Sequence, residues 1–116
     1  MKITFNESAY PLEPEKNHTA AAIQKKFPQT LTLQRRGDIE YYAKLAFQPV
    51  TVGVTTTAQI HAGGLYYYED WNVLSFQLQD ADITPFKMIY LGELESTFVR
   101  LLRDAQSELT VKLSND

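Results

Sequence analysis

The 116-residue chain contains no cysteine, which excludes a disulfide framework, a thiol nucleophile and a thiolate metal site. No apolar run approaches the roughly 20 residues that a helical bilayer crossing needs, so no membrane partner is expected. The first residues, Met-Lys-Ile-Thr-Phe, alternate instead of running apolar as a secretory signal does. A cytoplasmic location is therefore the expectation. Cations are not in excess either: 11 Lys and Arg stand against 14 Asp and Glu, a net charge of −3. Nucleic-acid binding depends on clustered Lys and Arg, so nucleic acid is not an expected partner.

Reaction motifs are equally scarce. There is no Gly-x-Ser-x-Gly elbow around any serine and no glycine-rich phosphate loop. His18 precedes a helical pattern and is expected to be solvated. His61 has no second His or Asp at ligand spacing, so no metal site is expected. Asp80-x-Asp82 lacks the glycine and distal glutamate of a calcium loop. Glu69 and Asp70 fall where turn chemistry favours Asp. No cofactor is expected and no catalytic residue is assigned.

What the chain does have is period-two alternation. Ile3 and Phe5 alternate with polar neighbours, and Tyr10 and Leu12 mark a short return. Leu31 and Leu33 form one run, and Ile39, Tyr41, Ala43 and Leu45 the next, with Arg35-Arg36-Gly37-Asp38 as the polar turn between them. Further strands are expected near 58–61, 65–69, 73–78 and 86–94, and Leu109, Val111 and Leu113 close the series. Half-buried strands of this kind belong to an antiparallel sheet with one face on a core.

Helical spacing appears twice. From Asn17, an N-cap residue, Ala20, Ile23 and Phe27 share a face before Pro28 stops the pattern. A second helix is expected to open at Ser96 as its cap and to place Phe98, Leu101, Leu102 and Ala105 on one stripe. Residues 47–57 show no period and read as a long or mobile loop. About eight short strands with two helices predict a mainly β fold: a closed eight-stranded barrel with a short α-helix at each end.

The densest feature is residues 63–78, a hairpin packed with aromatics. Its second arm alternates Leu74, Phe76 and Leu78 against Ser75 and Gln77. Its first arm, Leu65-Tyr66-Tyr67-Tyr68, is bulky on both faces, so one face must be covered or must meet a partner. Tyr and Trp combine contact area with a polar tip and suit recognition surfaces. The outward set is expected to include Tyr42, Trp71 and one parity of Tyr66 to Tyr68. The ordinary alternative is that a helix or the 47–57 loop simply covers these rings.

In this order, several stretches resemble the small bacterial and archaeal cyclophilin-like proteins. They are Asn17-His18-Thr19-Ala20, Leu31-Thr32-Leu33, Gly37-Asp38-Ile39-Glu40-Tyr41-Tyr42 and Ile60-His61-Ala62-Gly63-Gly64-Leu65-Tyr66-Tyr67. Trp71-Asn72-Val73-Leu74-Ser75-Phe76 and Ile89-Tyr90-Leu91-Gly92-Glu93-Leu94 complete the set. The resemblance runs nearly end to end and implies a single cyclophilin-like domain, an eight-stranded cyclophilin-like barrel closed by two helices.

The larger cyclophilins are peptidyl-prolyl isomerases that use an arginine in a Phe-His-Arg stretch. The strand that aligns with it, from Ile39 to Leu45, has Lys44 as its only cation, and an ammonium does not replace a guanidinium fork. Ser75-Phe76-Gln77 is a loose echo of the enzymes' Gln-Phe-Phe strand. The expectation is therefore a non-catalytic module for a peptide or small-molecule ligand. Its candidate groove comprises Tyr42, Lys44, His61, Tyr66, Tyr68, Trp71 and Phe76. A divergent prolyl isomerase is the alternative, and a hairpin serving as the interface of a weak homo-oligomer, in place of a monomer, is a third reading.

Overall fold

The computed structural model describes residues 1–115. Strands β1 (Lys2–Phe5), β2 (Ser8–Pro14), β3 (Gln29–Arg36) and β4 (Glu40–Lys44) surround helix α1 (His18–Gln24) in sequence. Then come β5 (Gln59–Ile60), β6 (Gly64–Tyr68), β7 (Val73–Gln77), β8 (Ala81–Asp82) and β9 (Ile89–Leu94). Helix α2 (Ser96–Arg103) and β10 (Glu108–Ser114) complete the chain. Eight of the strands close into an antiparallel barrel in the order β1-β10-β3-β4-β7-β6-β9-β2. Closure leaves the barrel without an unpaired edge. The expected mainly β barrel with two helices is thus present. β5 and β8 pair only with each other, as a separate ribbon.

Alternation decides what fills the barrel. Leu31 and Leu33 of β3, Tyr41 and Ala43 of β4, and Leu74 and Phe76 of β7 point inward with Leu65 and Tyr67 of β6. Each fully buried Leu or Phe contributes roughly 1.5–3 kcal/mol relative to exposure. Ala20 and Ile23 of α1, and Phe98, Val99 and Leu102 of α2, join the same core. The helices close opposite ends. On α1, Thr19 Oγ1 donates to the Val50 carbonyl (2.6 Å), in the loop that leaves β4. At the other end Arg35 Nη1 donates to the carbonyls of Leu102 (3.0 Å) and Ala105 (3.0 Å) as α2 finishes.

Asn17 caps α1 as expected, its Oδ1 accepting from the Ala20 amide at 2.8 Å. The second helix departs from expectation in two ways. Its N-cap is Glu95, whose carboxylate accepts from the Thr97 amide (2.7 Å), so Ser96 is the first helical residue. Its buried stripe is Phe98, Val99 and Leu102, with Leu101 exposed. The i, i+1, i+4 set faces the barrel, with Tyr10 packed on Phe98, ring centroids 5.2 Å apart.

Residues 47–57 contain no helix and only one bridge, Thr57 to Met88. The segment is nonetheless pinned. Asn72 Nδ2 donates to the Phe47 carbonyl (3.0 Å), and Thr51 Oγ1 donates to Glu69 (2.6 Å). Asn72 does this from the β6–β7 turn with φ of 55°, a left-handed conformation that Asn tolerates. No helix among the described residues is long and apolar enough to cross a membrane.

Candidate functional site

The outer face of β4, β7, β6 and β9 carries the residues that alternate with the core. On β6 these are Gly64, Tyr66 and Tyr68. A Cβ on Gly64 would come within 2.4 Å of the Tyr66 ring, so glycine here lets that ring lie along the strand. The ribbon crosses this face. Ile60 and Met88 bury Tyr66 in a second apolar cluster, against which Tyr68, Ile83 and Tyr90 pack. Such an outer core explains why β6 is apolar on both faces.

Where the ribbon stops, the face opens into a groove of about 420 Å³. Val73 of β7 and Met88 line it, with Ile83 and Phe86 as the ribbon-side wall. Tyr68 stands between two rings, 5.5 Å from Trp71 at 69° and 6.4 Å from Phe86 at 89°. Trp71 and Phe86 are each 55% exposed, unusual for rings of that size. Tyr42, Glu40 and Arg36 also line the groove. Another hollow, of about 430 Å³, lies at the start of α1 between Lys16, His18 and the threonines 55–57, with Tyr90 its one phenol ring. The groove at Trp71 is the better candidate because it joins several aromatic walls to a few converging polar groups.

Those polar groups form a chain. Glu40, Ser75 and Gln77 are buried although they face out of the barrel. Ser75 Oγ donates a short hydrogen bond to Glu40 Oε1. Gln77 Nε2 donates to Ser75 Oγ (2.6 Å) and, more weakly, to Glu40 Oε1 (3.4 Å). Arg36 Nε donates to Glu40 Oε2 at 2.7 Å. Glu40 therefore acts only as an acceptor, the role suited to a carboxylate. The Arg36 side chain remains 51% exposed, and its Nη1 and Nη2 have no hydrogen-bond partner among the described residues.

A second polar network sits beside the groove, behind Tyr66. His61 Nε2 lies 2.7 Å from Glu93 Oε1, and its Nδ1 lies 3.0 Å from the Tyr66 hydroxyl. The same hydroxyl accepts the His61 amide (3.1 Å), and Tyr90 donates to Glu93 Oε1 (2.6 Å). Burial pushes the Tyr66 phenol up. Tyr90 is pushed further, first by burial and then by its bond to Glu93 and that residue's charge. The network ties the end of β5 to β6 and β9.

The structure thus divides the expected groove residues. Tyr42, Tyr68 and Trp71 meet in the groove. His61 and Tyr66 belong to the neighbouring network, Tyr66 fully covered. Lys44 is exposed on β4 but does not line the groove. Phe76 points into the barrel with no exposure, because it shares parity with Leu74, so it cannot contact a ligand there. Arg36, Glu40, Val73, Ile83, Phe86 and Met88 were not among the expected residues. Glu40 was detectable, since it shares parity with Tyr42. The ribbon residues carried no such sign. Among the described residues no group of three or more His, Asp or Glu is placed to hold a metal ion.

A closed eight-stranded barrel with a helix at each end defines the class. The chain belongs to the cyclophilin-like family, whose model matches residues 3–114. Among solved structures, it is similar to the solution structure of a hypothetical protein from Archaeoglobus fulgidus, with a TM-score of 0.73 and 16% identity. That match covers 99% of this chain and 92% of the archaeal one, and at this identity it speaks for the fold alone. No curated protein matches the chain.

Proposed function

We propose that the chain is a binding module whose outer groove takes an extended peptide or a small apolar ligand, without chemistry of its own. The observation that carries this is the half-exposed pair Trp71 and Phe86 around Tyr68, over an apolar floor. Aromatic-lined grooves suit polyproline-type extended segments, whose preformed conformation leaves little entropy to lose. Trp71 is the chain's one tryptophan, so its fluorescence reports occupancy directly. Titration with short aromatic and proline-containing peptides should shift that emission saturably; Phe86→Ala should abolish the shift, and Trp71→Ala, read by calorimetry because it removes the fluorophore, should abolish peptide binding. Peptide binding that survives both changes would place the site elsewhere. If copies of the chain covered the groove in solution, binding would weaken as protein concentration rises; a monomer would show no such dependence.

One observation favours the second reading, a divergent prolyl isomerase. Arg36 reaches the groove from β3, where β4 supplies no arginine. An isomerase must lower a barrier of about 18–20 kcal/mol about the amide bond, and a guanidinium can bond a twisted amide. The binding reading expects no acceleration in a proline-isomerisation assay on a short peptide. Acceleration that disappears in Arg36→Gln would replace it.

A further inference from the structure

We infer that Glu40 sets the charge preference of the groove, so that it takes ligands offering an uncharged carbonyl beside an apolar or aromatic group and turns carboxylates away. This rests on the binding reading above and specifies its ligand. The open polar capacity of the groove consists mainly of donors. Arg36 Nη1 and Nη2 and Trp71 Nε1 have no hydrogen-bond partner among the described residues. Both oxygens of Glu40 already take hydrogen bonds, and the Tyr68 hydroxyl donates to Asp70 (3.3 Å), so among the described side chains lining the groove only the phenol oxygens of Tyr68 and Tyr42 are left to accept from a ligand. A complementary ligand therefore brings acceptors.

Charge decides which acceptors. Among the described residues Arg36 is the only cation lining the groove, and Glu40 holds it at 2.7 Å from a buried position. The pair is neutral. A ligand carboxylate would place a second anion on the same guanidinium, close to a carboxylate that cannot turn to water. Surrounding charge adds to this. Glu69 and Asp70 occupy the β6–β7 turn and Asp82 ends β8, while the nearby cation Lys87 lines a separate hollow with Glu69 and Asp70. A neutral carbonyl meets the same donors without that repulsion.

The test uses three probes at neutral pH: N-acetylphenylalanine amide, N-acetylphenylalanine, and phenylethylamine. Binding is read from Trp71 emission and its indole resonance. The amide should bind about tenfold more tightly than the acid, a difference of about 1.4 kcal/mol. Glu40→Gln keeps the shape of the polar chain and unmasks Arg36, and should erase or reverse that ratio. Arg36→Gln alters a half-exposed side chain, so it tests the same idea if Glu40→Gln does not fold. It should weaken the amide and widen the ratio against the acid. An acid that binds wild type as well as the amide, or a ratio unchanged in folded variants, overturns the inference while leaving the binding reading intact. Preference for phenylethylamine overturns it in favour of a cation site. If none of the probes perturbs Trp71, both readings fall.

Discussion

Two aromatic patches lie side by side on one outer face of the barrel, and they differ in what happens to their polar tips. Around Tyr66, itself covered by the ribbon, the hydroxyl, the half-exposed His61 ring and Glu93, and the Tyr90 hydroxyl bond to one another. Around Trp71, the rings are half-exposed and Arg36 keeps two nitrogens open. Tyr66 and Tyr68 sit two residues apart on one strand and share parity, so strand geometry does not separate them. What separates them is where the ribbon ends. Aromatic excess in one hairpin thus serves packing at one end and access at the other.

The largest expected effect breaks this contrast directly. Tyr66→Ala empties a buried ring site and should destabilise the fold by roughly 3–5 kcal/mol. Trp71→Ala, at a half-exposed ring, should stay within about 0.5 kcal/mol while losing ligand binding. Chemical denaturation of both variants checks the pair. Equal losses would make Trp71 a packing residue and remove the case for a groove.

Next in size is Glu40→Ala, at the boundary between the patches. It strands the buried Ser75 hydroxyl, which donates to Glu40, and removes the weaker of the two bonds made by the Gln77 amide. Leaving buried polar groups unpartnered costs about 1–3 kcal/mol, measurable as a lower denaturation midpoint. Glu40→Gln, which can still bond to both, should lose clearly less. A loss as large in Glu40→Gln would mean that the charge pair with Arg36, and not the hydrogen-bond chain, holds this region.

The barrel was legible because its cause is local: inward residues such as Leu31, Leu33, Leu74 and Phe76 alternate along each strand. The Asn17 cap was legible for the same reason. The site was only partly so. Tyr42, Tyr68 and Trp71 announced themselves as aromatics on a polar parity. Arg36 did not, because Arg35-Arg36 reads as one polar turn. In the fold Arg35 is drawn to the carbonyls at the end of α2, while Arg36, on the opposite parity, turns to Glu40. Phe76 belonged with Leu74 on parity alone. The ribbon depends on pairing Gln59 with Asp82 and Thr57 with Met88, contacts across a whole hairpin with no local pattern to reveal them.

The covered patch should also show itself in alkali. A phenol is neutral when protonated, and the fold raises Tyr66 and Tyr90 above their ordinary value. Their contribution is fully present below about pH 10, the unfolded value, and is lost as pH rises through the higher folded values. Each can change stability by at most about 1.4 kcal/mol per pH unit in that window. Tyr66→Phe and Tyr90→Phe should flatten the alkaline decline, measured by denaturation midpoints from pH 9 to 11. Tyr68 is also raised, first by desolvation and then by the Asp70 charge, but it is only half-buried at the open end of the strand, so Tyr68→Phe should flatten the slope less. A slope that flattens equally in all three would erase the distinction between covered and open rings.

The smallest effect concerns the edge of the open patch. Lys44 shares the outward parity of Glu40 and Tyr42 and sits opposite Val73, which lines the groove. Parity alone would therefore assign it to the site. Position along the strand argues otherwise: it is the last residue of β4, exposed, and outside the groove's lining. Its ammonium makes no ion pair among the described residues. Lys44→Ala should change stability by less than about 0.5 kcal/mol and leave the uncharged probe's affinity as it was, whereas Arg36→Gln weakens it. If Lys44→Ala weakened the uncharged probe as well, the groove would extend past Tyr42 to the end of β4. Neutrality could then no longer be assigned to Glu40 and Arg36 alone, because a second, unpaired cation would share the site.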